Sequence, residues 1–373
     1  MTQPGSIDAT EHTYWLERCL ALAQQGMGRT APNPMVGAVV VNQGEIVGEG
    51  FHPGLGLPHA EVFALQEAGE RARGATLYVN LEPCNHTGRT PPCTEAIIGS
   101  GIRRVVAGMV DPDPRVSGGG IERLRAAGIE VIVGVAERAC QRLNEGFLQR
   151  VTRHRPLGVL KYAMTLDGKI ATQAGQSRWI TGPTARAEVH RLRAHCDAVV
   201  VGGNTVRCDN PHLTTHGYSG PNPKRVVLSR QLDLPDQAHL WATEIAPTLV
   251  FTTPAAAENQ VQRLRDLGVE VITLDPLTPA QVTDYLYQQG CAMVLWECGG
   301  NLAAQAIADR VIDKLWAFIA PKLIGGNQAP TPIGDLGITH MAQAIDLTAL
   351  TYRSLGEDYL IEAYLNYPPS PSN

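Results

Sequence analysis

Short β-branched runs alternate with stretches of helical spacing along almost the whole chain. That alternation limits it to layered α/β architectures with mostly parallel sheets. It falls into two blocks. In the first, "YWLERCLALAQQG" has helical spacing and stops at Gly26, "MVGAVVVNQGEIVGEGFH" predicts a hairpin turning at Asn42–Gly44, and "AEVFALQEAGERA" predicts a helix. "ATLYVNLEP", "TEAIIGSG", "RRVVAGMV", "GGGIERLRAAG" and "EVIVGV" then read strand, helix, strand, helix, strand. A basic seam, "LQRVTRHRP", ends at Pro156. Beyond it "LGVLKYAMTLDGKIAT" opens a new strand and "PTARAEVHRLRAHC" predicts a helix starting near Thr181 or Pro183. "DAVVVGGNTV", "KRVVLS", "PTLVFTT", "VEVITL", "CAMVLWECGG" and "KLWAFIAPKL" predict further strands. The expectation is two α/β domains, 11–152 and 156–368, with frayed ends and no fixed-period repeat.

The 373 residues suffice for two or three domains, and 44% hydrophobic against 18% charged residues suits a chain that buries a sizeable core. A net charge of −5 is spread along the chain, and the first 150 residues hold no lysine and 13 arginines against 16 acidic residues. No basic face is available for phosphate backbones, so nucleic acid is not an expected partner. No apolar run reaches the ~18 residues of a membrane-spanning helix. The opening "MTQPGSIDATEHTYW" lacks the basic and apolar regions of a secretory signal. Eight cysteines are too sparse here for a disulfide framework, so a cytoplasmic protein with reduced thiols is expected.

Two stretches in the first block carry chemistry. "PHAEV" puts His59 and Glu61 two residues apart at a helix start, where both can face one cavity. "LEPCNHTGRTPPC" puts Cys84 just after a strand end, the usual place for a site in an α/β sheet, and Cys93 beyond a loop stiffened by prolines. A lone histidine or cysteine is usually a surface turn residue or a small buried hydrophobe. The combination of H-A-E, P-C and a second cysteine points elsewhere. One imidazole and two thiolates suit Zn²⁺ and leave a fourth position for water, as a catalytic zinc requires. Glu61 then moves protons rather than binding metal. H-x-E…P-C-x-x-C marks the zinc deaminases, and here eight residues rather than two separate the cysteines.

That insertion, with "APNPMVGAVVV", "GEGFH", "PHAEV" and "DPDP" at 111–114, closely resembles the deaminase domain of the bifunctional deaminase/reductases of riboflavin biosynthesis. The resemblance runs from about residue 12 to 366. It implies an N-terminal cytidine-deaminase-like α/β/α domain and a C-terminal dihydrofolate-reductase-like α/β domain. It also implies one zinc per chain on His59, Cys84 and Cys93, with Glu61 as proton shuttle. Asn33, His52 and His86 match positions lining the pyrimidine or phosphate pocket, and His86 and Arg89 are expected to project toward a phosphorylated substrate. Gly119 departs from the pattern, where the family often has arginine.

In the second block "LDGK" alone is a turn. "ECGGN" ends a strand at Glu297, allows close backbone approach at Gly299 and Gly300, and starts a helix near Asn301, which is an anion site suited to a dinucleotide phosphate. There is no G-x-G-x-x-G, so no Rossmann domain is expected. "KYAMTLDGKIA", "GQSRWIT", "GGNTVRCDNPHLT" and "ECGGNLAAQAIA" resemble the reductase half of the same family. The resemblance implies NADPH contacts at Ala163, Trp179, Thr205, Asp209 and the turn formed by Gly299, Gly300, Asn301, Leu302, Ala303, Ala304 and Gln305. It places Lys161, Ser177, Arg193, Leu213 and Glu297 around the ribose phosphate. The family usually reads L-T-x-R after the Asp-Asn-Pro turn; here "DNPHLTTH" puts His216 where that arginine holds the substrate phosphate.

The implied reaction is hydrolytic loss of the 2-amino group from a diamino-(phosphoribosylamino)pyrimidinone. Hydride delivery from NADPH to C1′ then opens the sugar to a ribityl chain. The expected partners are small phosphorylated pyrimidines and further copies of the chain, in a dimer or tetramer. A tRNA or free-nucleoside deaminase with an unrelated second domain fits less well, given the acidic, lysine-free first block and the long cysteine spacing. A zinc-structured binding module typically needs a fourth protein ligand, and no further cysteine stands near Cys84 and Cys93.

Overall fold

The computed structural model describes residues 9–86, 91–114 and 116–367. The chain divides into two compact units between His154 and Arg155.

The first unit runs α1 (Ala9–Ala23), β1 (Gly37–Asn42), β2 (Glu45–Phe51), α2 (Ala60–Ala68), β3 (Thr76–Val79), α3 (Cys93–Gly99), β4 (Arg104–Ala107), α4 (Gly119–Ala126), β5 (Glu130–Val133), α5 (Glu137–Leu143) and α6 (Glu145–Arg153). Its sheet has the order β2-β1-β3-β4-β5. β1 pairs antiparallel with both β2 and β3, and β3, β4 and β5 are parallel. The hairpin turns where the sequence places it: Asn42 pairs with Glu45, and Gln43 and Gly44 between them both have positive φ, the geometry of a two-residue hairpin turn. The uninterrupted valines of β1 reflect burial on both faces. Ala38 and Val40 pack with Ala60, Ala64, Ile97 and Leu124 from α2, α3 and α4, whereas Val39 and Val41 pack with Leu16, Cys19 and Cys140 from α1 and α5.

The second unit runs β6 (Leu157–Thr165), α7 (Pro183–His195), β7 (Ala198–Gly202), α8 (Gly203–Asp209), β8 (Lys224–Leu228), β9 (Thr248–Thr252), α9 (Glu258–Asp266), β10 (Glu270–Thr273), α10 (Pro279–Gln288), β11 (Met293–Trp296), α11 (Gly300–Ala308), β12 (Lys314–Ala320), β13 (Asp346–Leu355) and β14 (Asp358–Asn366). The sheet order is β10-β9-β8-β7-β11-β6-β12-β14-β13. Strands from β10 to β12 are parallel, and β14 and β13 add antiparallel. One face packs against α7 and α9 and the other against α10 and α11.

Helix α7 starts at Pro183, one of the two expected starts, with Gly182 as its N-cap, as proline's fixed φ and missing N–H favour. Two features differ from the sequence expectation. "DAVVVGGNTV" is a strand only to Gly202, and α8 follows at once. The β13–β14 hairpin has no counterpart among the strands expected from the sequence. Nearly all of β13 is exposed, so it carries no apolar alternation for a pattern search to find.

Candidate active sites

In the first unit helix α2 lies hard against β2. A Cβ at Gly48 would come within 2.1 Å of the Ala64 carbonyl oxygen, and one at Gly50 within 2.4 Å of that of Ala60. This contact places His59, the extended N-cap of α2, and Glu61 in its first turn. Cys84 follows β3 by five residues, and Cys93 is the first residue of α3. His59 Nδ1 lies 3.2 Å from Cys93 Sγ and 3.5 Å from Cys84 Sγ, and the Cys93 amide donates to Cys84 Sγ at 3.4 Å. Among the described residues this is the one group of three whose metal-ligating atoms all fall within 4.8 Å of one another.

The electrostatics suit a cation. A hydrogen bond from the Cys93 thiol pulls Cys84 down to about 4, and the same bond, with burial, pushes Cys93 up. The bond to Cys84 raises His59 against the effect of burial. Burial, and then the Cys84 charge, push the Glu61 carboxyl up to about 7. Glu61 Oε2 is buried with no hydrogen-bond partner among the described residues, an arrangement that calls for a ligand. Two soft thiolates, one imidazole and an unpartnered acid fit a zinc ion with an open position.

Asn33 and His52 stand beside this trio. Asn33 Nδ2 is 3.3 Å from His52 Nε2, His52 Nδ1 is 3.2 Å from the Pro58 carbonyl, and the His52 and His59 rings meet edge to face at 5.4 Å. His86 is exposed. Arg89 lies outside the described residues.

In the second unit Lys161 and Ala163 lie on β6, Glu297 follows β11, and Arg193 is on α7. Arg193 grips Glu297 through Nε at 2.6 Å and Nη2 at 3.0 Å and donates Nη1 to the Thr214 carbonyl at 3.0 Å. Lys161 Nζ is 3.6 Å from Glu297. Burial works to raise the Glu297 carboxyl, but the Arg193 and Lys161 charges override it and hold the group at about 2. Lys161 is itself lowered by burial.

Ser177 Oγ donates to Asp209 Oδ1 at 3.3 Å, and Arg178 donates to the Asp209 carbonyl. Trp179 is 63% exposed with the Arg186 guanidinium 4.4 Å from its ring centre. Thr205 is half-buried on α8. A Cβ on Gly202 would lie 3.5 Å from Leu302, so the turns before α8 and α11 are neighbours. Gly299 caps α11, and Gly299, Asn301 and Gln305 are exposed. Ala303 and Ala304 are buried.

The Leu213 side chain is 2% exposed and sits in the core with Val201 and Val227. His216 is exposed, stacks on His190 at 4.3 Å and meets His212 edge-on at 6.0 Å, and His212 stacks on His239 at 3.8 Å. The three further histidines of this ladder were missed by sequence reasoning, because they come from separate segments without a shared motif.

The family described as the cytidine and deoxycytidylate deaminase zinc-binding region matches residues 9–109, and the RibD C-terminal domain matches residues 156–361. The riboflavin biosynthesis protein RibD of Synechocystis sp. is 59% identical over 350 residues, covering 94% of this chain and 95% of the relative. The chain belongs to the RibD family. Among solved RibD structures, that of Acinetobacter baumannii (form 1) superposes with a TM-score of 0.86 at 38% identity, covering 96% of this chain and 100% of that one. The Thermotoga maritima diaminohydroxyphosphoribosylaminopyrimidine deaminase/5-amino-6-(5-phosphoribosylamino)uracil reductase gives 0.83 at 38%, covering 96% and 99%. The RibD fold here is a cytidine-deaminase-like unit followed by a dihydrofolate-reductase-like unit.

The buried charge cluster of the second unit yields a stability prediction. Glu297→Gln leaves Arg193 and Lys161 without their counter-charge and should cost about 3 kcal/mol. The wild-type carboxyl is held below its ordinary 4.5, at about 2. Its contribution is therefore complete above the unfolded value and lost as pH falls through that window. Urea unfolding of both proteins at several pH values checks this; a gap that does not shrink toward pH 2 contradicts it.

Proposed function

We propose that residues 11–152 carry out the deamination and residues 156–368 the reduction. The enzyme is a bifunctional zinc-dependent pyrimidine deaminase and NADPH-dependent reductase of riboflavin biosynthesis. It deaminates 2,5-diamino-6-(5-phospho-ribosylamino)pyrimidin-4(3H)-one and reduces the ribosyl group of 5-amino-6-(5-phosphoribosylamino)uracil to ribityl. The observation that carries the assignment of the first site is the His59–Cys84–Cys93 trio with Glu61 buried beside it.

His59, Cys84 and Cys93 would hold the zinc. When bound, zinc supplies Lewis-acid activation of water near neutral pH. Glu61 is the catalytic acid and base: its unpartnered oxygen accepts a proton and returns it to the leaving amine. Asn33 and His52 position the pyrimidine, and His86 stands at the mouth. In the reductase domain the turn from Gly299 to Gln305 offers backbone N–H groups to a dinucleotide phosphate, with Trp179, Thr205, Asp209 and Ala163 completing the NADPH site. NADPH supplies the hydride. Lys161, Ser177, Glu297 and the Leu213 backbone orient the ribose. Arg193, held by Glu297 and Thr214, lines the same ribose-phosphate site, and His216 stands where the family's arginine holds the phosphate.

A homo-oligomer, dimer or tetramer, in the cytoplasm completes the proposal. The eight cysteines are all free, as in a reducing compartment. No helix among the described residues is long and apolar enough to cross a membrane. β13 is an edge strand with Tyr352 71% exposed, and such edges invite pairing. Light scattering should give at least twice the chain mass of 40.1 kDa; a monomer overturns this part.

Glu61→Gln should keep about one zinc per chain while losing deamination by roughly 10²-fold or more. Cys84→Ser should abolish deamination and spare reduction of the deaminated substrate. An amide variant that deaminates normally removes the shuttle, and loss of both steps in a folded, NADPH-binding Cys84→Ser protein shows that the sites are not separable.

His216 is lowered from 6.5 by burial, then by Arg193 and His212, with Glu297 opposing. The imidazolium that would grip phosphate is therefore lost at lower pH than usual. Reductase KM should rise with pH, the rise setting in below the ordinary imidazole midpoint of about 6.5. His216→Arg should flatten that rise and tighten binding by about 1–2 kcal/mol. The phosphate's own ionisation near pH 6 is common to both proteins, so identical KM profiles rule the contact out.

A further inference from the structure

We infer that Glu82 is a positioning residue that locks Cys84 and the first turn of α4 together, so that metal retention and the placement of that helix start are set jointly. The inference rests on His59, Cys84 and Cys93 holding the zinc. Glu82 lies beyond β3, two residues before Cys84, and is 3% exposed. Its carboxylate accepts four backbone N–H groups. Oε1 receives Gly120 at 2.9 Å and Ile121 at 3.1 Å, and Oε2 receives Gly118 at 3.0 Å and Asp111 at 3.1 Å. The Glu82 amide in turn donates to the Met109 carbonyl at 2.9 Å. One buried anion thus satisfies the otherwise orphaned amides at the start of α4 from a different part of the chain, with the helix dipole favouring its charge.

The lock continues through the backbone. A Cβ at Gly120 would fall 2.0 Å from the Pro83 carbonyl oxygen, so the first turn of α4 rests directly on the peptide that leads into Cys84. Thr94, in the first turn of α3, donates its amide to the Cys84 carbonyl at 3.2 Å. Cys84 is therefore held from the α4 side through Glu82 and Pro83 and from the α3 side through Thr94. If the α4 side is released, the thiolate keeps its identity but loses its fixed direction. Outer contacts of this kind control metal affinity as the ligands themselves do.

Glutamine at position 82 keeps the size but offers one acceptor oxygen, and its NH₂ would face two amide donors. Zinc transfer to a chromogenic chelator, followed in the full-length chain, tests the inference. Glu82→Gln should release zinc about tenfold faster or more, with reduction of the deaminated substrate unchanged. Glu82→Asp, which keeps the charge on a shorter arm, should fall between the two. A Glu82→Gln protein that releases zinc at the wild-type rate, even with a lowered melting temperature, overturns the inference, because a merely structural role would move only the latter.

If that variant does not fold, hydrogen exchange of the wild type decides. Removing zinc should speed exchange at Gly118, Gly120 and Ile121 while β1 stays protected, since coupling is reciprocal. Unchanged exchange at those amides overturns the inference. Wild-type zinc content in Cys84→Ser would remove the metal assignment, and this inference with it, whatever Glu82 does.

Discussion

Helix α2 can rest on β2 only because residues 48 and 50 have no side chain. The Ala64 and Ala60 carbonyls occupy the space that a methyl group would need. The candidate metal site depends on that approach. It sets the N-cap where His59 meets two thiols from α3 and the β3 loop, and it buries Glu61 deeply enough to keep its carboxyl near neutrality. A larger residue at either position would push the helix outward and carry His59 and Glu61 away together.

The two units treat a buried carboxyl in opposite ways. Glu61 is buried beside a thiolate, so desolvation and a like charge act in the same direction and favour the protonated form. Glu297 is largely withdrawn from solvent, but Arg193 and Lys161 outweigh its desolvation and keep it ionised. The first arrangement suits a group that must trade a proton, and the second a fixed charge that orders its neighbours. Glu82 is a third solution: a buried carboxylate met by four backbone amides.

The residues proposed for the reductase site are drawn from strands, helix starts and loops that are far apart in sequence. Gly300 lets the 331–334 segment pack onto the start of α11, where the Gly334 amide donates to the Gly300 carbonyl at 2.9 Å. That close packing lies at the same helix start whose free N–H groups suit a phosphate. A Cβ at Gly300 would meet the Thr331 carbonyl oxygen at 2.6 Å, whereas one at Gly299 would meet nothing within 4 Å.

Local pattern determined much of this protein by itself. Strand and helix alternation, the Asn42–Gly44 turn, the His59–Glu61 spacing, the two cysteines of one loop and the glycines before α11 are all carried by residues close together in the chain, so they can be read without knowing what packs where. Tertiary structure alone decided which of these segments meet. It brought His59 to Cys84 and Cys93, turned Leu213 into the core, gathered four histidines from α7 and two later segments, and made Glu82 the anchor of a helix some forty residues away. It also produced the β13–β14 hairpin, whose exposed first strand has no periodicity to betray it. The physical reason is one of range. Backbone preference and amphipathic period act over a few residues, whereas burial of a polar group, and the choice of what satisfies it, is settled only when distant segments pack.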